Sequence, residues 1–213
     1  MSTSSIEGPV SRYLNRRLSE PLARWLAPTP VTPNQVSLLS LVVALGAFAA
    51  FAVGQPIAAG LLIQTSSVVD GVDGDLARLQ GRASRFGGVF DAVLDRYADA
   101  AIVGGMTWWA WSHPELSGSQ PVVVGFAALV GFFLVSYSRA RLEGEGYRNL
   151  LSGGALLASR DVRLLLAAIG SVIGQTYWTL VVLGAMSYLA LIYRLWLAYR
   201  GSIPATQSRT TQP

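Results

Sequence analysis

Hydrophobic residues dominate six stretches of this 213-residue chain. A helix that crosses a bilayer needs about 20 predominantly apolar residues. The predicted spans are Asn34 to Gly54, Pro56 to Val72, Gly88 to Trp111, Pro121 to Arg141, Val162 to Gly174 and Tyr177 to Leu197. The fifth stretch is marginal in length. The pattern therefore predicts an all-α integral membrane protein with six transmembrane helices.

The N-terminal segment follows a different pattern. Between Ser11 and Ala27, bulky apolar residues such as Leu14, Leu18 and Leu22 recur at helical spacing among arginines. This arrangement is typical of an amphipathic helix that lies on the membrane surface, with an ordinary soluble helix as the alternative. We expect a cytoplasmic N-terminus over residues 1–33, a membrane domain over 34–200 and a disordered cytoplasmic tail over 201–213.

The composition supports the membrane class. Hydrophobic residues make up 52% of the chain and charged residues 13%, and the mean hydropathy is +0.43. Soluble domains carry about twice that charged fraction. The chain contains no cysteine, which excludes a disulfide scaffold, a zinc-thiolate site and a thiol nucleophile.

Every basic residue is an arginine, and the net charge is +4. The long apolar runs argue against nucleic acid as a partner, so membrane lipids are the expected partner of the basic segments. Arginines occur in alternate connections, and none lies in the links around Gln55, Ser117 or Gln175. The positive-inside rule then predicts a multi-pass protein of the cell (inner) membrane, with both termini and the active site facing the cytoplasm.

Six of the twelve acidic residues lie between positions 70 and 99. Each ionised side chain at membrane depth costs about 2.5–3.5 kcal/mol. Asp70 and Asp73 share one helix face, as do Asp91 and Asp95, so two adjacent helices would bring four carboxylates together. Oxygen-only ligands favour Mg²⁺ or Mn²⁺, and four carboxylates can hold two such ions for chemistry at phosphorus. Asp75 departs from this face and is interpreted as a solvated helix-end charge.

The residues around these carboxylates fit a phosphate ligand. Gly71, Gly74, Gly87 and Gly88 allow close approach of a bulky group, and Arg78 can neutralise a diphosphate. The small side chain of Ala77 leaves room for a base or ribose.

These residues together resemble the signature of the CDP-alcohol phosphotransferase family. The pattern is Asp, two residues, Asp-Gly, two residues, Ala-Arg, eight residues, Gly, three residues, Asp, three residues, Asp. All eight fixed positions are present: Asp70, Asp73, Gly74, Ala77, Arg78, Gly87, Asp91 and Asp95.

The resemblance implies a six-helix membrane enzyme, commonly a homodimer, that opens to the cytoplasm and depends on a divalent metal. It implies metal binding by Asp70, Asp73, Asp91 and Asp95, with Asp95 also as the catalytic base. Contacts to the CDP moiety are implied for Asp70, Asp73, Gly74, Ala77, Arg78 and Gly87. Asn34 is a further candidate for the nucleotide, although helix capping explains that residue nearly as well.

The flanks of the motif resemble the di-myo-inositol phosphate phosphate synthase branch, which joins CDP-inositol to inositol 1-phosphate and releases CMP. The alternative branch uses CDP-diacylglycerol and makes phosphatidylinositol phosphate or phosphatidylglycerol phosphate. Either acceptor is expected to be a phosphorylated alcohol, and Arg139, Arg163 and Arg194 are the candidates that bind its phosphate. From another class, a divalent-cation transporter stays open, because acidic residues within a membrane also mark ion paths.

Overall fold

All regular structure in the described part of the chain is helical. The computed structural model describes residues 9–113, 120–146 and 159–202, and these ranges contain no β-strand. A π-helical turn, Ser11–Asn15, leads into α1 (Arg16–Leu26), α2 (Pro33–Ala52), α3 (Pro56–Leu79), α4 (Arg85–Trp111), α5 (Gln120–Gly144), α6 (Arg160–Val172) and α7 (Thr176–Ser202). The predicted disordered tail lies almost wholly outside the described residues.

The helix boundaries follow local sequence signals. At the start of α2, Pro33 takes the first helical position, and the Thr32 N–H donates a hydrogen bond of 2.9 Å to the Gln35 side chain. Gly54 and Gly174 adopt positive φ angles of 75° and 77° in the turns that follow α2 and α6. Only glycine adopts this backbone conformation readily, so these residues permit tight reversals between helices.

One apolar core joins the six helices from α2 to α7. α2 packs on α3 and α4, α5 packs on α4 and α7, and α6 packs on α3 and α7. Phe51, Ile63, Ile102, Phe132 and Leu164 are fully or almost fully buried at the centre. Because α3 and α4 both pack on α2, the acidic side chains at the C-terminal half of α3 and the N-terminal half of α4 come close together.

Three of the described helices are long and apolar enough to cross a membrane: α2, α5 and α7 over Thr176–Arg200. α3 and α4 have 24 and 27 residues but carry the acidic motif, and α6 has only 13 residues. The number of six spans therefore stays a prediction.

α1 packs on the bundle through small or polar side chains and turns its large apolar side chains outwards. The small or polar residues Asn15, Ser19 and Ala23 are buried against the bundle, whereas Leu18 and Trp25 point outwards. Asn15 donates a hydrogen bond of 2.9 Å to the Ser67 hydroxyl on α3. The apolar face of α1 is thus left for the surroundings.

The second helix continues beyond the predicted span, which ends near Val72. α3 continues to Leu79 and carries the whole first half of the acidic motif. Val72 and Leu76 are buried in a small cluster with Ala23 of α1 and Val36 of α2, which stabilises the helix through its glycines. The connection to α4 is only residues 80–84.

Candidate active site

Three carboxylates from two helices converge at the end of the bundle that carries the acidic motif. Asp70 of α3 and Asp91 and Asp95 of α4 each offer an oxygen, and these oxygens all lie within 4.8 Å of one another. All three side chains are partly buried. An all-oxygen donor set at this spacing fits Mg²⁺ or Mn²⁺, which prefer carboxylate ligands.

Asp73 is not part of this group of three. It is 8% exposed and accepts a short hydrogen bond from the Ser37 hydroxyl on α2. Asp73 and Asp91 both line the same neighbouring cavity. The predicted metal-ligand role of Asp73 stays a prediction.

Two serines on α2 were missed by the sequence reasoning. Ser37 donates to Asp73, and the Ser40 hydroxyl lies 3.4 Å from Asp70 as a donor. Their spacing of three residues on a helix that also carries Asn34 is the only signal, because serine is common at helix–helix contacts. These hydroxyls help to hold the carboxylates against α2.

The contact of Arg160, at the start of α6, with the carboxylates was also missed. Its Nη1 atom lies 2.7 Å from Asp70 and 2.8 Å from Asp95, and its Nε atom lies 3.2 Å from Asp99. Asp99 is fully buried and also pairs with Arg96 at 3.0 Å. Two arginines therefore offset the charge of the buried carboxylates, as a low-dielectric environment requires.

A cavity of about 360 Å³ opens beside the carboxylates between α2, α3 and α4. We call it the donor cavity. The structure brings together on its wall six residues predicted to contact the CDP moiety: Asn34, Asp73, Gly74, Ala77, Arg78 and Gly87. Asp70, the seventh, lies at the carboxylate cluster instead of on this wall.

Two interpretations near the donor cavity need correction. Asp75 is not a solvated charge: its side chain is 13% exposed, pairs with Arg78 at 2.6 Å and accepts a hydrogen bond of 3.0 Å from Ser19. Gly71 does not face a ligand, because a Cβ atom there would meet the Ser19 side chain at 3.3 Å. Both residues instead contact α1, whose docking on α3 the sequence pattern did not reveal.

A second cavity, of about 580 Å³, adjoins the donor cavity. We call it the acceptor cavity. Its wall includes all three predicted phosphate-binding arginines, Arg139, Arg163 and Arg194, together with Arg160. Gly88, Asp91 and further α4 residues also line it, and Gly88 and Asp91 belong to the donor cavity as well.

The three arginines of the acceptor cavity are held by different contacts. Arg163 is 1% exposed and stacks its guanidinium over the Phe132 ring at 4.0 Å. Arg194 donates a hydrogen bond of 2.6 Å to the Val135 carbonyl, and Arg139 pairs with Glu143 at 3.0 Å. Buried, oriented guanidinium groups around a cavity suit recognition of a phosphate.

Comparison with known proteins agrees with this geometry. Residues 30–146 match the sequence profile described as CDP-alcohol phosphatidyltransferase. The chain is 40% identical to the bifunctional IPC transferase and DIPP synthase of Rubrobacter xylanophilus over 94% of this chain and 44% of that protein. It therefore spans less than half the length of this relative. It is 31% identical to the archaetidylinositol phosphate synthase of Pyrococcus horikoshii, over 84% of this chain and 89% of that protein.

A solved structure resembles the fold over nearly its full length. The crystal structure of Mycobacterium tuberculosis phosphatidylinositol phosphate synthase with CDP-DAG bound superposes with a TM-score of 0.74 and 28% identity, covering 92% of this chain and 100% of that one. The same synthase has been crystallised with manganese and citrate. The matched profile, the relatives and the shared fold all lead to one assignment: the chain belongs to the CDP-alcohol phosphatidyltransferase family.

Proposed function

We propose that this chain transfers a phospho-alcohol group from a CDP-alcohol to a phosphorylated alcohol and releases CMP. The observation that carries the proposal is that a donor cavity with Arg78 and an acceptor cavity with four arginines meet at Asp91, one of the three clustered carboxylates. The preferred substrates are CDP-inositol and inositol 1-phosphate, which give di-myo-inositol phosphate phosphate. The 40% identity to a protein named as a DIPP synthase supports this choice.

The carboxylates are proposed to hold Mg²⁺ or Mn²⁺, with Asp70, Asp91 and Asp95 as ligands and Asp73 completing a site for two ions. When bound, the metal supplies charge stabilisation for the diphosphate and lowers the energy of the departing CMP. The donor set fits this role because all candidate ligand atoms are carboxylate oxygens at close spacing.

The side chains have separable tasks in the transfer. Arg78 binds the diphosphate of the donor, and Gly74 and Ala77 leave space for the nucleoside. Arg139, Arg163 and Arg194 hold the phosphate of the acceptor. Asp95 takes the proton from the acceptor hydroxyl as its oxygen bonds to the β-phosphorus, and the bond from that phosphorus to the CMP oxygen breaks.

The membrane arrangement is proposed to contain six spans, with α1 at the cytoplasmic interface. The outward faces of α3 and α4 support this view, since Ile57, Leu61, Val89 and Val93 are all about half exposed or more. The outward apolar face of α1 fits an interfacial helix. The alternation of arginines supports the proposal that both termini and the active site lie on the cytoplasmic side of the cell membrane. A homodimer is part of the same proposal, by resemblance to the family.

A lipid donor, CDP-diacylglycerol, is the second candidate. An apolar groove of about 560 Å³ runs along α4 past Val89, Val93 and Phe133, and it shares Gly88 with the donor cavity. Such a groove could accept an acyl chain beside the diphosphate. The M. tuberculosis synthase was crystallised with CDP-DAG.

The deciding experiment is Mg²⁺-dependent CMP release by the purified protein, with inositol 1-phosphate as acceptor. CDP-inositol and CDP-diacylglycerol are supplied in separate reactions. Release with CDP-inositol alone supports the preferred function, and release with CDP-diacylglycerol alone moves the protein to phospholipid synthesis. A cation transporter would release no CMP from either donor or from other CDP-alcohols tried.

Asp95→Asn tests the proposed base. We expect CMP release to fall by roughly 10²–10⁴-fold, because proton transfer contributes that much to rate. Stabilisation by Mg²⁺ should be largely preserved, since Asp70 and Asp91 remain. The matched control is Glu145→Gln, because Glu145 is half exposed and pairs only with Arg141 in the described structure. Near-normal turnover in Asp95→Asn would exclude Asp95 as the base.

A further inference from the structure

Arg160 belongs to two environments at once. One side of its guanidinium contacts Asp70 and Asp95, two of the three carboxylates that fit a divalent ion. The same side chain lines the acceptor cavity beside Arg163. Its Nη2 atom is buried and has no hydrogen-bond partner among the described residues. Arg160 therefore carries its charge at the boundary between the carboxylates and the acceptor cavity.

A contact with Asp99 fixes the position of Arg160. Its Nε atom lies 3.2 Å from the fully buried Asp99, whose other oxygen pairs with Arg96 at 3.0 Å. This contact holds the Nε side of the guanidinium in place, while its Nη1 atom contacts Asp70 and Asp95. The anchored group can thus interact with both sites without a large movement of α6.

A positive guanidinium beside Asp70 and Asp95 opposes the binding of a cation by the same carboxylates. Like charges this close repel strongly in a partly buried site. An anion in the acceptor cavity would offset the charge of Arg160 and reduce that repulsion. By linkage, a bound cation must then favour the anion by the same factor.

We propose that Arg160 is a coupling residue that weakens divalent-metal binding until a phosphate group occupies the acceptor cavity. This coupling role depends on the proposed function in one respect only: the acceptor is a phosphorylated alcohol. As a result, the carboxylates bind the metal tightly only when the acceptor phosphate is present. The metal site and the acceptor site are then occupied together.

The first test is Mn²⁺ binding to the purified full-length protein, measured by electron paramagnetic resonance without any CDP-alcohol. Arg160→Gln is expected to bind Mn²⁺ about tenfold more tightly than the unchanged protein, because the competing charge is gone. An ordinary loss of site structure would weaken binding instead. Arg141→Gln is the matched control, since it removes an equal charge from an exposed pair with Glu145. Loss of binding in Asp91→Asn assigns the signal to this site.

The second test is linkage in the unchanged protein. Inositol 1-phosphate, and separately inorganic phosphate, should tighten Mn²⁺ binding about fivefold or more. Arg160→Gln should show a smaller effect, because only direct attraction between metal and phosphate remains. Arg160→Lys keeps the charge and should retain weak Mn²⁺ binding.

Two outcomes overturn the proposal. One is equal or weaker Mn²⁺ binding by an Arg160→Gln protein whose Tm shows that it is folded. The other is an unchanged Mn²⁺ affinity when inositol 1-phosphate and inorganic phosphate are added to the unchanged protein, a measurement that needs no variant to fold. Both readouts are independent of CMP release, so a failure of the proposed transfer reaction is distinguished from a failure of this coupling.

Discussion

At the scale of single residues, Gly74 is a glycine that the donor cavity requires but the packing of the helix does not. It lies in the interior of α3 and on the wall of the donor cavity. A Cβ atom there would have Arg78 Nη1, at 3.9 Å, as its nearest contact among the described residues. The absence of a side chain is therefore not required by helix packing, and it keeps the cavity open next to Arg78.

Gly74→Ala is expected to fold normally but to bind the CDP donor poorly. Alanine is favoured over glycine within a helix by up to about 1 kcal/mol, so Tm should stay the same or rise. The added methyl group should raise the KM for the donor about tenfold, because it occupies space that the ligand needs. Thermal unfolding and CMP-release kinetics measure the two effects.

Gly105→Ala is the contrasting control. Its Cβ atom would come within 2.8 Å of the Phe51 ring and 3.0 Å of the Phe48 backbone, where α2 and α4 touch. This substitution should lower Tm. A Gly74→Ala protein with unchanged donor KM would show that the nucleotide does not lie against this part of α3.

At the scale of secondary-structure elements, α1 is connected to the donor cavity through two side chains. The buried Ser19 of α1 donates a hydrogen bond of 3.0 Å to Asp75, and Asp75 pairs with Arg78 Nη2 at 2.6 Å. Arg78 is 55% exposed, so little else fixes its long side chain. The docking of α1 therefore orients the arginine that is proposed to bind the diphosphate.

Asp75→Asn should raise the KM for the CDP donor about three- to tenfold with little change in kcat, since ordering one long side chain costs about 0.5–1.5 kcal/mol. Ser19→Ala should give a smaller change in the same direction without altering any charge. CMP-release kinetics at varied donor concentration measure both effects.

Glu20→Gln is the matched control for Asp75→Asn, because Glu20 forms an exposed pair with Arg24 on α1. Its donor KM should be unchanged. A lower KM in Asp75→Asn would contradict the orienting role, because it would mean that Asp75 mainly cancels the charge of Arg78.

The order of the helices was predictable because proline, glycine and apolar length mark most of their limits. The full length of α3, which reaches Leu79, was not. Asp70, Asp73 and two glycines favour an early end, and the stabilising contacts of Val72 and Leu76 come from α1 and α2. Local propensity cannot report burial that distant segments supply.

At the scale of the whole molecule, the site likewise contains residues that local sequence spacing predicts and contacts that only distant packing decides. The carboxylates and the donor residues were predictable because their spacing within single helices fixes their faces. The contact of Arg160 with Asp70 joins residues 90 positions apart. It depends on how α6 packs on α3, and no spacing rule reaches that far. The three acceptor arginines were found only through their charge and their predicted side of the membrane.

The donor and acceptor cavities meet at Gly88 and Asp91. In the proposed reaction, a hydroxyl from the acceptor cavity therefore reaches the phosphorus of a donor in the adjoining cavity directly, with no need for a phosphorylated enzyme. A single displacement of this kind inverts the configuration at phosphorus. We therefore expect a CDP-alcohol made chiral at its β-phosphorus with sulfur and oxygen isotopes to give product of inverted configuration, as read by ³¹P NMR. Retained configuration would require two successive displacements and would contradict direct transfer between the two adjoining cavities.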